Sequence, residues 1–314
     1  MRLEDMRASE NVEDRRGMGV GRTGAGFGLG TIVLLVAGYF LGVSPQTLLG
    51  IVGDGQLSSQ QPQGNAVTGK PGDAQGDFAA RVLGETEDVW GKYFAASGQR
   101  YTPPTMVLFS GAVESACGST SSAAGPFYCP GDQKLYLDLD FFNQLATDFG
   151  APGQFARAYV IAHEVGHHLQ TLLGITEKVE GLRARSGGGE GAHGISVQVE
   201  LQADCFAGVW AMQDQRVIEP GEVQQALQAA ASVGDDTLQR RMQGRVVPDS
   251  FTHGSAEQRQ RWFERGFESG KIESCDTFSA GSQLLSARGA GSARVTAQES
   301  PAVRSWPSRP AVRR

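Results

Sequence analysis

The sequence predicts a mainly helical α+β domain with a small sheet, preceded by one N-terminal transmembrane helix. Apolar residues recur at helical spacing in several long stretches, whereas only two short runs have the character of strands. The third observation is an uncharged run near the N-terminus whose length fits a bilayer. Of the 314 residues, 40% are hydrophobic and 43 are glycine, so part of the chain can bury a core while another part is irregular.

The uncharged run spans residues 25–43 and reads AGFGLGTIVLLVAGYFLGV, which at about 1.5 Å per residue is long enough to cross a membrane. Arginines precede it at positions 15, 16 and 22, and the following SPQTLLGIVGDGQ contains no Lys or Arg. The positive-inside rule therefore predicts that residues 1–24 form a cytoplasmic segment and that the chain after Val43 lies outside the cytoplasmic membrane. A cleaved signal peptide is the alternative, which the long leader of mixed charge and the lack of an A-x-A-like site disfavour.

Composition divides the rest of the chain into three parts. Residues 44–76 are rich in Gln, Gly, Ser and Pro, which predicts a flexible linker. Residues 77–280 contain the helix and strand patterns and form the predicted folded domain. Residues 281–314 hold six Arg and one Glu, which is typical of a disordered basic tail, with contact to anionic lipid as the weaker interpretation. The net charge of −6 argues against nucleic-acid binding.

The elements of the domain follow in chain order. FAARVLGETEDVWGKYFAASG, from Phe78, spaces its apolar residues as a helix does. TMVLFS (105–110) and KLYLDLD (134–140) predict strands, the second because alternate leucines share one face. A Gly-Ala-Pro-Gly turn opens a strong helix at about 154–173, and Gly174 marks its end. Further helices are predicted, after a glycine-rich loop at 186–194, at about 195–213, 220–231, 236–243 and 255–268.

The helix at 154–173 carries HEVGHH, which holds three of the chain's five histidines. His163 and His167 are four residues apart and therefore project from one face of the helix, one turn apart. This spacing lets two imidazoles bind one zinc ion. Glu164 lies beside them, where a general base that activates water is needed. The alternative is a polar helix face whose histidines bind no metal.

A second helix supplies carboxylates for such a site. In VELQADCFAGVW, Glu200 and Asp204 are again four residues apart, on a helix whose other positions are mostly apolar. Two carboxylates on the buried side of a helix cost free energy unless they have partners. Glu200 is the predicted third metal ligand, and Asp204 is predicted to accept a hydrogen bond from His163. A solvated acidic face is the alternative, which the neighbouring Phe206 and Trp210 disfavour.

HExxH followed by ExxxD is the pattern of the glutamate-zincin metallopeptidases. The runs GPFYCPGDQKLYLDLDFF, AYVIAHEVGHHLQTLLGI, VELQADCFAGVWA and FTHGSAEQRQRWF resemble the bacterial putative neutral zinc metallopeptidases, a membrane-anchored family. The resemblance covers about residues 78–280 and implies a zincin-like domain with its small sheet ahead of the HExxH helix. It also implies one Zn²⁺ per chain, bound by the two HExxH histidines and Glu200, with Glu164 as general base and a peptide or protein as substrate.

The remaining histidines have weaker assignments. His253, in FTHGSAEQRQRWF, precedes the last helix, and this segment is similar to the Thr-His-Pro…Arg segment of integral-membrane glutamate-zincins. It is predicted to stabilise the oxyanion that develops on the scissile carbonyl, with a non-catalytic neighbour of the helix cap as the equal alternative. His168 points about 100° away from His167 and is predicted to be a core residue or a residue that supports the metal ligands. His193 is interpreted as a loop residue, and Tyr159 is a lower-ranked hydrogen-bond donor.

Four cysteines allow three pairings, and the sequence does not choose among them. Cys117 and Cys129 bracket a short loop that a local disulfide would close, which would leave Cys205 and Cys275 for a long-range link. Export of the domain favours disulfides, and four reduced thiols are the alternative. Because no CxxC pair is present, a structural zinc site made of cysteines is not expected.

Together these features predict membrane-anchored, zinc-dependent hydrolysis of peptide bonds outside the cytoplasm. The strand KLYLDLD is expected to bind an extended peptide if it lies at the edge of the sheet. Two other functions remain open: hydrolysis of a non-peptide amide with the same ligands, and non-enzymatic binding with a structural metal. The last ranks lowest, because structural zinc sites normally use four protein ligands and the sequence offers three.

Overall fold

The computed structural model describes residues 1–17, 67–121, 125–186, 194–219 and 221–279. These residues form a mainly helical protein with a small sheet, as predicted. The strands are β1 (Val12–Asp14), β2 (Val67–Thr68), β3 (Thr105–Phe109), β4 (Ala112–Ser115), β5 (Gly118–Ser121), β6 (Phe127–Cys129) and β7 (Lys134–Asp138). The α-helices are α1 (Ala74–Ala96), α2 (Asp140–Thr147), α3 (Gln154–Leu172), α4 (Ile175–Ser186), α5 (Ile195–Gln213), α6 (Val223–Ser232), α7 (Asp235–Gln243) and α8 (Ala256–Ser269). A 3-10 turn at Ile272–Cys275 follows α8.

The main sheet has five strands in the order β2-β1-β3-β7-β6. Strands β1, β3 and β7 are parallel, and β2 and β6 run antiparallel to their neighbours. One face of the sheet packs on the helical core through Met106 and Leu135, which are paired across β3 and β7. The other face forms a smaller cluster in which Phe109 and Tyr136 pack with Val113 of the β4–β5 hairpin. The central strands β3 and β7 are therefore buried on both faces.

KLYLDLD does not meet the condition under which it was expected to bind a peptide, because it is not an edge strand. Its residues form β7, which has β3 on one side and β6 on the other. The edge strand next to β7 is β6, a run of three residues between Pro126 and Pro130, and β2 lies at the other edge. A three-residue run between two prolines cannot be recognised as a strand from the sequence, because proline interrupts strand pairing.

Helix α3 is central and packs against α1, α5 and α6, while α5 also packs against α8. Gly166 allows α5 to approach α3 closely, because a Cβ at this position would lie 2.9 Å from the Cα of Ala203. Gly266 of α8 has the same role towards α5, since its Cβ would lie 1.9 Å from the carbonyl oxygen of Cys205. These close crossings place the HExxH helix, the ExxxD helix and the last helix in contact.

Residues 1–17 belong to the same folded body as the rest of the described chain. Strand β1 pairs with β3, and the backbone N–H of Ser9 donates to the carbonyl oxygen of Ala80 at 2.8 Å. The folded body therefore extends beyond the predicted range of 77–280, which omitted the N-terminal strand. The N-terminal strand has only three residues and lies in a charged segment. So short a strand leaves little recognisable pattern in the sequence.

Strands joined by backbone hydrogen bonds lie on the same side of a membrane. The β1–β3 pairing therefore opposes the predicted topology, in which one crossing separates residues 1–24 from the folded domain. The predicted span at 25–43 lies outside the described residues, as do most of the predicted linker at 44–76 and the predicted tail at 281–314. In the part of the chain that the structure covers, no helix has the length and hydropathy to cross a bilayer.

Two disulfides connect the four cysteines. Cys117 pairs with Cys129, which ties the β4–β5 hairpin to the edge strand β6. Cys205 of α5 pairs with Cys275 in the turn after α8. Of the three pairings that the sequence allowed, the structure thus contains the one with a local and a long-range link.

Candidate metal centre

The three predicted metal ligands meet between α3 and α5. Nε2 of His163 lies 3.2 Å from one carboxylate oxygen of Glu200, and Nε2 of His167 lies 3.6 Å from the other. All three donor atoms lie within 4.8 Å of one another. Within the described residues the group contains three protein donors, which is the number typical of catalytic zinc sites.

The chemistry of these donors fits a zinc ion. Zinc binds imidazole nitrogen and carboxylate oxygen at about 2.0–2.2 Å. Both imidazoles turn Nε2 towards Glu200 because their Nδ1 atoms have other partners: Asp204 at 2.8 Å from His163, and Gln170 at 2.9 Å from His167. Each histidine therefore has one nitrogen held by the protein and the other directed to the shared position.

The oppositely charged groups of the buried site hold each other in their ionised forms. Burial lowers the pKa of His163, but attraction to Asp204 and Glu200 outweighs it and raises this pKa to about 10. Burial raises the pKa of the Glu200 carboxyl, but the two histidines outweigh it and hold this pKa well below its usual range. The site therefore presents a carboxylate to a cation.

Asp204 is fully buried and is surrounded by hydrogen-bond donors. Tyr159 donates to its Oδ1 at 2.5 Å, in addition to the contact with His163. Arg259 of α8 donates from Nε to Oδ2 at 2.8 Å and from Nη2 to Oδ1 at 2.9 Å. Burial raises the pKa of Asp204, but Arg259 and His163 outweigh it and lower this pKa. Asp204 is thus an ionised partner of His163, as predicted, and a bidentate arginine balances its charge.

Glu164 and His253 both line the cleft above the donor group. Glu164 follows His163 on α3 and is 9% exposed. The backbone N–H of His253 donates to Oδ2 of Asp235 at 2.6 Å, and its Nδ1 lies 3.4 Å from Oδ1. The hydrogen bond with Asp235 raises the pKa of His253, which favours a donor imidazolium. His253 lines the cleft and also lies just before the Ser255 cap of α8.

His168 lies in the core, as predicted, and connects two elements. Its Nε2 lies 2.7 Å from the carbonyl oxygen of Thr102, which can only accept, so this nitrogen carries the proton. Its Nδ1 is then the acceptor for the hydroxyl group of Tyr128 on β6, at 3.1 Å. His168 therefore ties the edge strand to the HExxH helix. His193 lies outside the described residues.

The donor group opens onto a cleft of about 630 Å³. Its lining includes aromatic rings, from Phe127 and Tyr128 of β6, Phe141 of α2 and Phe149 just after α2. Residues of α4 also line it, among them Glu180. The cleft thus extends from the metal ligands to β6, an edge strand of the sheet in the described part of the chain.

The chain belongs to the putative neutral zinc metallopeptidase family, whose model matches residues 1–278. It is 47% identical over 290 residues to the uncharacterised protein YpfJ of Escherichia coli strain K12, an overlap of 88% of this chain and 99% of that protein. It is 49% identical over 193 residues to the uncharacterised protein Rv2575 of Mycobacterium tuberculosis strain H37Rv, or 57% of this chain and 64% of that protein. No solved structure matches the chain.

Proposed function

We propose that this protein is a zinc-dependent peptidase. The observation that carries the proposal is the convergence of the two HExxH histidines with Glu200 below a cleft that Glu164 also lines. A zinc ion held by these three ligands supplies a Lewis acid, which polarises a carbonyl group and makes water more acidic. Membership of the family supports the same chemistry.

The residues around the ligands supply the proton transfers of peptide hydrolysis. Glu164 accepts a proton from the attacking water, whose oxygen forms the new bond to the carbonyl carbon. The same carboxyl group then donates this proton to the amide nitrogen as the C–N bond breaks, which yields a carboxylic acid and an amine. His253 donates a hydrogen bond to the oxyanion that develops on the carbonyl oxygen.

The edge strand β6 offers a place for the substrate. An extended peptide can pair with the free backbone groups of an edge strand, which leaves its side chains to occupy neighbouring pockets. The cleft beside β6 is lined by aromatic rings, including Phe127, and therefore favours peptides with apolar side chains next to the scissile bond. The proposal thus moves the peptide-binding strand from β7 to β6.

The compartment and the membrane attachment belong to the same proposal. Two disulfides favour an oxidising compartment outside the cytoplasm. Residues 25–43 are the proposed membrane attachment. Because residues 1–17 pair with the main sheet, this attachment requires both flanks of residues 25–43 to lie on one side of the membrane.

Zinc analysis and proteolysis by the full chain test the proposed activity. The wild type is expected to bind a single zinc ion and to cleave a denatured protein. Glu164→Gln is expected to keep zinc and to lose at least about 100-fold in rate, because general acid–base catalysis contributes about 10²–10⁴-fold. Glu180→Gln is the matched control, since it removes an exposed carboxylate that lines the same cleft.

The alternatives predict different results. A hydrolase of a non-peptide amide would bind zinc but cleave no polypeptide. A binding protein with a structural metal would give Glu164→Gln the same properties as the wild type in every assay. Equal loss of activity in Glu164→Gln and Glu180→Gln would contradict the role of Glu164 as the base.

A further inference from the structure

A buried chain of hydrogen bonds runs from His167 to the disulfide after α8. Nδ1 of His167 lies 2.9 Å from Oε1 of Gln170, and Nε2 of Gln170 donates to the carbonyl oxygen of Val199 at 2.8 Å. Nε2 of Gln170 also donates to Oε1 of Gln202 at 3.1 Å. Nε2 of Gln202 in turn donates to the carbonyl oxygen of Cys275 at 2.9 Å. Gln170 and Gln202 are only 2% and 5% exposed, so the protein supplies most of their partners.

Two backbone carbonyls fix the direction of this chain. A carbonyl oxygen can only accept, so each glutamine must turn its NH₂ group towards the carbonyl beside it, at Val199 or Cys275. The side-chain oxygens then point the other way, and Oε1 of Gln170 can only accept from His167. His167 must therefore carry its proton on Nδ1. This tautomer leaves the lone pair of Nε2 free on the side of Glu200.

We propose that Gln170 is a positioning residue that holds His167 in the metal-binding tautomer, and that Gln202 and the Cys275 carbonyl keep its amide in place. The inference rests on the proposed metal site. It gives a role to the glutamine of HHLQ, which lies three residues after His167 and so on the same face of α3. Turning the buried amide over would bring its oxygen against the Val199 carbonyl and leave donors without acceptors, which is costly in a protein interior.

The two histidine ligands are thus oriented by different chemistry. His163 faces the carboxylate of Asp204, whose charge Arg259 balances. His167 faces a neutral amide. A second carboxylate behind His167 would add an unbalanced negative charge next to Glu200, and like charges in a buried site destabilise each other.

The far end of the chain is tied to α5. The disulfide joins Cys275 to Cys205, and the hydroxyl group of Thr277 donates to the carbonyl oxygen of Gln198 at 2.7 Å. Both anchor points lie on the helix that carries Gln202, so the Cys275 carbonyl stays in front of this side chain. Because Val199 alone still orients Gln170, loss of Gln202 is expected to have a smaller effect than loss of Gln170.

Zinc affinity of full-chain variants, measured by competition with a chromogenic chelator, tests the proposal. Gln170→Met removes the hydrogen bonds at similar length and is expected to weaken zinc binding about 10–100-fold, as loss of such partners does. Gln202→Met is expected to weaken zinc binding less than Gln170→Met does, because the Val199 carbonyl still orients the Gln170 amide. Gln213→Met is the matched control on α5, because Gln213 also donates to a backbone carbonyl, that of Gly270 at 2.9 Å.

Three results would overturn the proposal. One is equal zinc affinity in Gln170→Met and the wild type. Another is an equal loss in Gln170→Met and Gln213→Met, which would show a general effect of destabilisation. The third is a Gln202→Met variant that binds zinc more weakly than Gln170→Met, because the Gln170 amide would then not be the group that orients His167.

Nitrogen-15 NMR of the metal-free full chain reports the tautomer directly, and the chain has only five histidines to assign. His167 is expected to carry its proton on Nδ1 in the wild type and to populate both tautomers in Gln170→Met. A wild-type His167 protonated on Nε2 would refute the inference. The proposed function fails separately, if a wild type that binds zinc and shows the expected tautomer cleaves no peptide.

Discussion

Asp204 places a full negative charge in the protein interior. Single neighbouring residues stabilise this charge. Arg259 binds both of its oxygens and is itself only 4% exposed. Burial lowers the pKa of Arg259, but Asp204 outweighs it and raises this pKa further above its ordinary value, so the guanidinium stays charged. Removing one partner of a buried ion pair leaves an uncompensated charge.

Arg259→Met is therefore expected to lower the free energy of unfolding by about 3–5 kcal/mol in the zinc-free protein. Urea denaturation measures this change. Arg261→Met on the same helix is the control, because Arg261 forms an exposed pair with Glu257, and such pairs contribute about 0–1 kcal/mol. The double variant Asp204→Asn/Arg259→Met is expected to be more stable than Arg259→Met alone. If it is less stable, the buried charge is not the cause.

The sequence predicts the site residues that share a helix face and misses those that work across helices. Spacing of four residues is enough to pair His163 with His167 and Glu200 with Asp204. Arg259 acts on Asp204 of another helix, which spacing does not reveal. Gln170 shares a helix face with His167, but the partners that orient its amide lie on α5, which spacing does not reveal either. A signal for the arginine does exist: the buried Trp262 and Phe263 lie three and four residues after Arg259, which places this charge on the apolar face of α8.

At the scale of elements, the substrate cleft depends on how β6 is attached to α3. Burial lowers the pKa of His168 and raises that of Tyr128, so a neutral imidazole accepts from a protonated hydroxyl group. This hydrogen bond joins the edge strand to the helix of the metal ligands. The distance between a bound peptide and the metal site therefore depends on it.

Tyr128→Phe removes this bond and keeps the ring that lines the cleft. A neutral hydrogen bond contributes about 0.5–1.5 kcal/mol, so KM for a peptide substrate is expected to rise about 2–10-fold. Zinc affinity and kcat are expected to stay close to wild type, because the ligands do not move. Tyr93→Phe is the control, since the Tyr93 hydroxyl binds Glu273 away from the cleft. A fall in kcat or in zinc affinity with KM unchanged would contradict this role.

Elements with a regular apolar period are predictable here, and elements without one are not. The helical period identified α1, α3, α5 and α8, and the alternating leucines identified β7. Gly174 does end α3, with φ +70°, but α4 begins at the next residue in a stretch without a clear apolar face. The three-residue strands β1 and β6 are specified by pairing with distant strands, and that information is not local.

At the scale of the whole molecule, residues 1–17 are joined to α1 by polar as well as backbone contacts. Ser9 and Asn11 donate to the same carboxylate oxygen of Glu87, at 2.5 and 2.8 Å. Arg7 donates to the other oxygen of Glu87 at 2.8 Å. Glu87 is buried in a helix whose sequence alone gives no partner for it, and the N-terminal segment supplies all three donors.

Gly84 gives a direct test of this docking. A Cβ at Gly84 would lie 2.1 Å from the carbonyl oxygen of Arg7, so Gly84→Ala forces α1 and the N-terminal segment apart. Overpacking costs about 1–3 kcal/mol, and 1 kcal/mol shifts Tm by about 2–4 °C in a protein of this size. Thermal denaturation is expected to show this fall, and limited proteolysis is expected to cut within residues 1–17. Gly91→Ala on the same helix meets nothing within 4 Å and is expected to stabilise the helix by about 0.5–1 kcal/mol.

The same experiment tests whether one membrane crossing separates residues 1–17 from the metal centre. If Gly84→Ala loses stability and exposes its N-terminus while Gly91→Ala does not, residues 1–17 and the metal centre share one folded body in solution. A single crossing between them is then excluded, since a strand cannot pair with β3 through a bilayer. If both variants behave alike, the N-terminal segment is not docked, and the topology that the arginines before residues 25–43 predict becomes the better description.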